Sequence, residues 1–201
     1  MMTIVYKVKN GLYINFTNRC PSNCTFCLRN DKDAVYGSAP LWLEREPSVE
    51  EVKSAIDAED MTQYEEVVFC GYGEPTERLD DLLEVAKYVK EKYKIKVRVN
   101  TNGLSDLING KDTSPLFQGI IDAVSISLNT PDKVKYFELT RNKFGIDAFD
   151  SLLAFAKNVK KYVDRVILTT VSTTITKEEE ELCHKIAEEL GVEYRIRKWE
   201  G

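Results

Sequence analysis

No apolar run in the chain exceeds the length of a strand, so nothing in it reads as a bilayer span. The opening residues, 1–7, lack the basic-then-apolar layout of a secretory signal. No block of like charges stands out, and the formal net charge is −5. Affinity for nucleic-acid backbone is therefore not expected, because counterion release needs a basic face. Internal repeats, low-complexity tracts and linker-like stretches are also missing. The only histidine, His184, reads as an exposed helix residue. Five cysteines, an odd number with three in one run, do not make a disulfide framework. The expected home is the reducing cytoplasm. With 43% hydrophobic and 30% charged residues over 201 positions, the chain reads as one domain, 1–201, with a substantial core.

What the chain does have is Cys20, Cys24 and Cys27, spaced C-x3-C-x2-C after a strand-like segment at Leu12–Thr17. Three thiolates in eight residues can converge on one inorganic centre, and no fourth cysteine lies close by. A structural zinc site closes its tetrahedron with four protein ligands. An iron–sulfur cluster held by three thiolates keeps one iron open, and an open iron is a place for chemistry. The zinc alternative would need His184 or a distant cysteine as the fourth ligand.

Strand-like segments recur at Leu12–Thr17, Glu66–Cys70, Lys96–Thr101, Ala123–Leu128, Arg165–Val171 and Tyr194–Lys198. Runs such as Val166–Val171 suit strands of a parallel sheet covered on both faces. Helical stripes fall between them: Leu82, Leu83, Ala86 and Val89; Leu152, Ala156, Val159 and Val163; Leu182, Ile186 and Leu190. Ser48 with Glu51, and Thr176 with Glu179, have the form of capping boxes, and Gly191 stands at a helix C-cap. The segment at Ser114–Gly119 is a single turn at most. Six strands alternating with five helices imply right-handed β-α-β units. A closed eight-stranded barrel takes about 250 residues. The expected fold is therefore α/β, a partial (β/α)6 TIM-like barrel with a parallel sheet, open on one side. A flat doubly wound sheet is the alternative from periodicity. Between Cys27 and Ser48 lies a stretch without periodicity, carrying Tyr36 and Trp42, which reads as a lid.

In parallel barrels the working groups sit on the loops after the strands. Four such positions are unusual: the three cysteines; Phe69–Thr76, containing Gly71, Tyr72, Gly73, Glu74 and Pro75; Asn100–Gly103, containing Asn102; and Ser125–Asn129, containing Ser127. Cys70 and Cys183 read as packing residues.

With Phe26 as the aromatic residue before Cys27, and Gly71–Pro75 after the second strand, the chain resembles the radical S-adenosylmethionine superfamily. The usual Gly-Gly pair is interrupted here by Tyr72. Within that superfamily it is most similar to small TatD-associated proteins, through Ile126–Asn129, Tyr136, Arg141, Lys143–Gly145 and Val166–Val171. The resemblance implies a 4Fe–4S cluster on Cys20, Cys24 and Cys27, with S-adenosylmethionine chelating the open iron. It implies ligand contacts from Gly71, Tyr72, Gly73, Glu74 and Asn102. The two glycines would let backbone approach the methionine part, with carbonyls or Glu74 receiving its amino group. Ser127 and Asn129 would meet the ribose, and Phe26 the adenine. Arg141, Arg195, Arg197 and Lys198 are candidates for a carboxylate of the cofactor or for an anionic substrate.

The activity implied is reductive cleavage of S-adenosylmethionine to a 5′-deoxyadenosyl radical that takes hydrogen from a small-molecule or protein substrate. An oxygen-sensitive enzyme, fed by a donor such as flavodoxin or ferredoxin, is the expectation. The chain ends close to its last strand, so no capping domain is expected, and a partner or a homodimer would close the open side. Reactions like those of 7-carboxy-7-deazaguanine synthase or of glycyl-radical-activating enzymes are the alternatives. The non-catalytic alternative is a structural metal-binding protein.

Overall fold

Strands and helices alternate in the computed structural model, which describes residues 2–198. Seven strands form one sheet in sequence order: β1 (Val5–Val8), β2 (Gly11–Ile14), β3 (Glu66–Phe69), β4 (Lys96–Thr101), β5 (Ala123–Ser127), β6 (Arg165–Val171) and β7 (Glu193–Arg197). Every neighbouring pair from β2 to β7 is parallel, and β1 is antiparallel to β2. β7 does not pair back onto β1, so the sheet stays open, as a partial barrel.

β1 adds a strand to the six expected. It pairs from Val5↔Ile14 to Val8↔Gly11 through a tight turn in which Lys9 takes φ 52°. The two-residue loop is Lys9-Asn10, and its positive φ sits on Lys9. β2 is shorter than the Leu12–Thr17 segment, because the chain leaves the ladder after Ile14 to enter the cysteine loop.

The helices are α1 (Val49–Asp57), α2 (Leu79–Tyr93), α3 (Ser105–Asn109), α4 (Lys133–Thr140), α5 (Ala148–Val159) and α6 (Lys177–Leu190). Both expected capping boxes form, at Ser48/Glu51 and Thr176/Glu179, and Gly191 caps α6 in the left-handed conformation. Ser114–Phe117 is a single 3-10 turn. α3 and α4 had no apolar stripe to announce them. α4 buries only Tyr136 and Thr140, one turn apart, while Val134 and Phe137 face solvent. It owes its start to the Asp132 carboxylate, which accepts from the Lys135 N–H at 2.7 Å.

The two faces of the sheet differ in chemistry, because successive side chains alternate. One face presents Val67, Phe69, Val97, Val99, Val124, Ile126, Val166 and Leu168, all buried against the helices. The other presents Arg98, Asn100, Ser125, Ser127, Thr169 and Arg195 to the hollow of the partial barrel. Val68, Ile167 and Val171 share that face, so the hollow mixes polar and apolar groups, and the main hydrophobic core lies outside it, between strands and helices. Among the described residues, no helix is long and apolar enough to cross a membrane.

The α1 cap can be tested alone. Ser48→Ala removes the oxygen that accepts from the Glu51 N–H at 3.2 Å, and the chain should lose about 1 kcal/mol in urea unfolding, with an unchanged m-value.

Candidate active site

The loop after β2 carries the three cysteines and is held from two sides. From one side, the Glu74 N–H donates to the Arg19 carbonyl at 2.8 Å. The Arg29 guanidinium bridges the Ser22 carbonyl at 2.9 Å and the Tyr72 carbonyl at 3.4 Å. From the other side, the Asn23 and Thr25 N–H groups donate to the Thr140 and Leu139 carbonyls, each at 2.9 Å, and the Lys143 N–H donates to the Pro21 carbonyl at 2.9 Å. The C-terminal turn of α4, which has carbonyls without helical partners, therefore seats the cysteine loop.

Glu74 joins the loop after β3 to the end of β4. It is 3% exposed, and its carboxylate accepts from the Thr76 N–H (3.1 Å), the Thr76 hydroxyl (2.8 Å), the Thr101 hydroxyl (2.7 Å) and the Asn102 N–H (2.7 Å). Burial pushes its pKa up, and these four donors oppose that shift.

The two glycines beside it have a different reason from the one expected. A Cβ on Gly71 would lie 2.2 Å from Asn15 Oδ1, and a Cβ on Gly73 would lie 2.2 Å from the Thr17 carbonyl oxygen and 2.6 Å from that of Arg19. The missing side chains let the loop after β3 press against the end of β2 and the cysteine loop. At Gly73 two backbones pack closely, and at Gly71 the loop backbone packs against the Asn15 side chain.

These loops enclose a cavity of about 260 Å³. Cys20, Cys24, Cys27, Phe26, Gly71, Tyr72, Gly73, Glu74, Asn102, Ser127 and Asn129 all line it. Arg141 does not: it is exposed, taking φ 45° as the residue that ends α4. The Tyr72 ring packs at 5.3 Å from Trp42, and its hydroxyl donates to the Lys32 carbonyl, so that side chain serves the 28–47 segment. That segment is pinned. Asn15 Nδ2 donates to the Leu41 carbonyl at 2.7 Å, Asn18 brackets Leu43 at 2.8 and 3.1 Å, and Leu41 and Leu43 are buried. Tyr36 lines the cavity, whereas Trp42 lies on Tyr72 outside it.

Asn100 and Thr101, from the expected Asn100–Gly103 position, line it as well, whereas Ser22, Arg29, Tyr136 and Thr140 were not assigned to the site from sequence. Arg29 follows the third cysteine by two positions, a usable signal. Tyr136 had none, because nothing marked α4 as a helix.

The donor chemistry favours a multi-iron group. Burial pushes the Cys20 thiol up to about 11 and the Cys24 thiol to about 12; neighbouring cysteines add to both shifts and Arg29 opposes them. The three thiols thus feel one another within one cavity. Yet among the described residues no three His, Cys, Asp or Glu side chains are close enough to share one metal ion. A cluster places each thiolate on a different iron, and three clustered cysteines on one cavity are a donor set that fits it. His184 is exposed and lies 3.7 Å from Glu188, and Cys183 is in the core, so neither joins the three cysteines; Cys70, read as a packing residue, instead lines the same cavity.

A polar ligand fits as well. Ser22 Oγ, Asn102 Nδ2, Asn129 Oδ1 and Tyr136 Oη are buried without a hydrogen-bond partner, and all four residues line the cavity. Buried polar groups are rarely left so. Asn129 also takes φ 67°, a left-handed conformation, directly after β5.

Residues 14–186 match the sequence profile of the Radical SAM superfamily, and the chain belongs to that superfamily. The fold matches Streptococcus suis SuiB bound to its precursor peptide SuiA, with a TM-score of 0.72, 20% identity, and coverage of 97% of this chain and 40% of that one. It matches a radical SAM methyltransferase from Sphaerobacter thermophilus (TM-score 0.64, 13% identity, 96% and 68% coverage). It also matches anSMEcpe with bound AdoMet (TM-score 0.63, 21% identity, 93% and 50% coverage). The chain spans only 40% of the SuiB chain and 50% of the anSMEcpe chain. A comparison with curated protein sequences gives no match.

Two outcomes follow from the orphaned hydroxyl and the raised thiols. Tyr136→Phe should stabilise the cofactor-free chain by about 1 kcal/mol in urea unfolding, because it removes a hydroxyl buried without a partner. The same variant should weaken S-adenosylmethionine binding in equilibrium dialysis. The Cys20 and Cys24 thiols ionise later in the folded chain than the ordinary value of 9.0. Their stabilising effect is therefore complete below pH 9 and is lost as pH rises toward 11 and 12. Urea unfolding of the metal-free chain should show that decline, and a Cys20→Ser/Cys24→Ser variant should show less of it.

Proposed function

We propose that this protein binds a 4Fe–4S cluster on Cys20, Cys24 and Cys27 and reductively cleaves S-adenosylmethionine to begin hydrogen abstraction from a substrate. The observation that carries the reading is one cavity lined by the three clustered thiols, by Cys70 as a fourth free cysteine, and by four residues that each bury a polar atom without a partner. A bound cluster would supply the electron for sulfonium cleavage, delivered to it by a reducing protein such as flavodoxin or ferredoxin.

The residues of the chain then have separate tasks. Cys20, Cys24 and Cys27 surrender their protons on binding iron, so cluster assembly gains as pH rises. Arg29 lies beside the cysteines, where its charge favours the thiolate form of Cys20 and Cys24. Glu74 uses its carboxylate on Thr76, Thr101 and Asn102 and so holds the loops after β3 and β4 in register. Asn102 and Ser22 offer polar atoms to the ligand, Asn129 an amide oxygen and Tyr136 a hydroxyl. Phe26 presents an aromatic face in the same cavity. The strapped 28–47 segment covers one side and limits water entry there. A reducing, cytoplasmic setting suits five free cysteines.

The test is anaerobic reconstitution with iron and sulfide, followed by S-adenosylmethionine and dithionite. The expected outcome is a brown protein that forms 5′-deoxyadenosine and methionine. Cys24→Ala should abolish both colour and product while leaving the far-UV circular dichroism unchanged. A wild-type chain that takes up no cluster would overturn the reading.

A second substitution probes the loop contact. Gly73→Ala drives a Cβ into the Thr17 and Arg19 carbonyl oxygens, and should lower cluster content more than fivefold in iron analysis. Gly110→Ala, whose added Cβ meets nothing within 4 Å but whose φ of 65° strains an alanine, is the control for lost stability without the loop clash.

A further inference from the structure

The inference concerns the substrate, and it rests on the proposed function above. β7 is the free edge of the sheet, and its alternate residues Glu193, Arg195 and Arg197 share one face. That face looks into the hollow, since Arg195 reaches across β6 to the Ser125 hydroxyl on β5 at 3.4 Å. Glu193, the only acid of the three, is occupied by Arg165 through two contacts of 2.8 and 2.7 Å. Deeper in the hollow, the Glu66 carboxylate is occupied by Arg98 at 3.0 and 2.6 Å. No carboxylate among the described residues pairs with Arg195 or Arg197. In a chain of net charge −5 with many ion pairs, two unpaired guanidinium groups on one concave wall are unusual.

These cations are separate from the one that serves the cysteines. Arg29 is the cation that acts on Cys20 and Cys24. The charged and phenolic neighbours of Arg195 include Arg98, Arg197, Tyr13, Glu66 and Glu193, the last held by Arg165. Arg197 also lines the large cavity, so the unpaired charges continue from the hollow to the place where a radical would form. Opposite them, Tyr6 on β1 lines the same cavity.

We infer that Arg195 and Arg197 bind the oxyanion of a small-molecule substrate, a carboxylate or a phosphate, whose body lies in the hollow facing Tyr6. Guanidinium groups match both oxyanions by paired N–H donation. The free edge of the sheet leaves the anion a path in from solvent.

The experiment uses the full reconstituted chain in low-chloride buffer, without reductant, and titrates inorganic phosphate and malonate separately by calorimetry. The expected result is saturable 1:1 binding of at least one anion, weakened about tenfold or more in Arg195→Gln/Arg197→Gln. Lys87→Gln, which alters an exposed cation of α2 paired with Glu91, should bind as wild type. If the double variant does not fold, Arg197→Gln alone carries the test, because that side chain is exposed. Phosphate binding alone points to a phosphate ester, and malonate binding alone to a carboxylic acid. Absence of saturable binding, or equal binding by the folded variant, overturns the inference. So does displacement of the anion by S-adenosylmethionine, which would return the two arginines to the cofactor. Since no step here requires cleavage, a protein that binds the anion but forms no 5′-deoxyadenosine would refute the proposed reaction and leave the anion site standing.

Discussion

A carboxylate buried with 3% exposure is costly unless donors surround it, and Glu74 has four of them. Those donors come from the start of its own turn and from the end of β4, 27 and 28 positions away for Thr101 and Asn102. The backbone of Glu74 in turn donates to Arg19 in the cysteine loop. One residue thereby relates three strand ends. The ends of β2, β3 and β4 would otherwise be joined only by loops, and loops alone do not hold three thiols around one space.

The second constraint is α4. Its carbonyls at Leu139 and Thr140 receive the cysteine loop, and its Tyr136 ring is buried while leaving a hydroxyl in the cavity. A helix of eight residues with two buried positions contributes little to the core. Its role is positional. The same turn places Arg141 outward in a left-handed conformation, which removes that residue from the cavity it was expected to reach.

Polarity inside the barrel separates stability from function. The main hydrophobic core lies between the sheet and its helices, where Leu82, Val85, Leu152 and Phe155 are fully buried. The hollow is left free to carry hydroxyl, amide and guanidinium groups. Such a division lets the lining vary with substrate while the fold persists, consistent with matches at 13–21% identity that still reproduce the architecture.

Much of this was present in the order of residues. The β-α alternation, both capping boxes, the Gly191 cap and the three cysteines are local patterns, and local patterns survive without knowledge of contacts. The polar positions after the strands were also legible, because the ends of parallel strands must gather at one end of the sheet. Other features depend on what meets across the fold. β1 shows only in its pairing with β2, α4 lacks an apolar stripe, and the purpose of Gly71 and Gly73 appears only against Asn15 and Thr17. Tertiary structure alone decided which charges stay paired: Glu193 and Glu66 are neighbours of other arginines, and that leaves Arg195 and Arg197 open. Sequence sets which groups exist and their spacing along the chain, whereas burial and pairing are properties of distances between segments far apart in that chain.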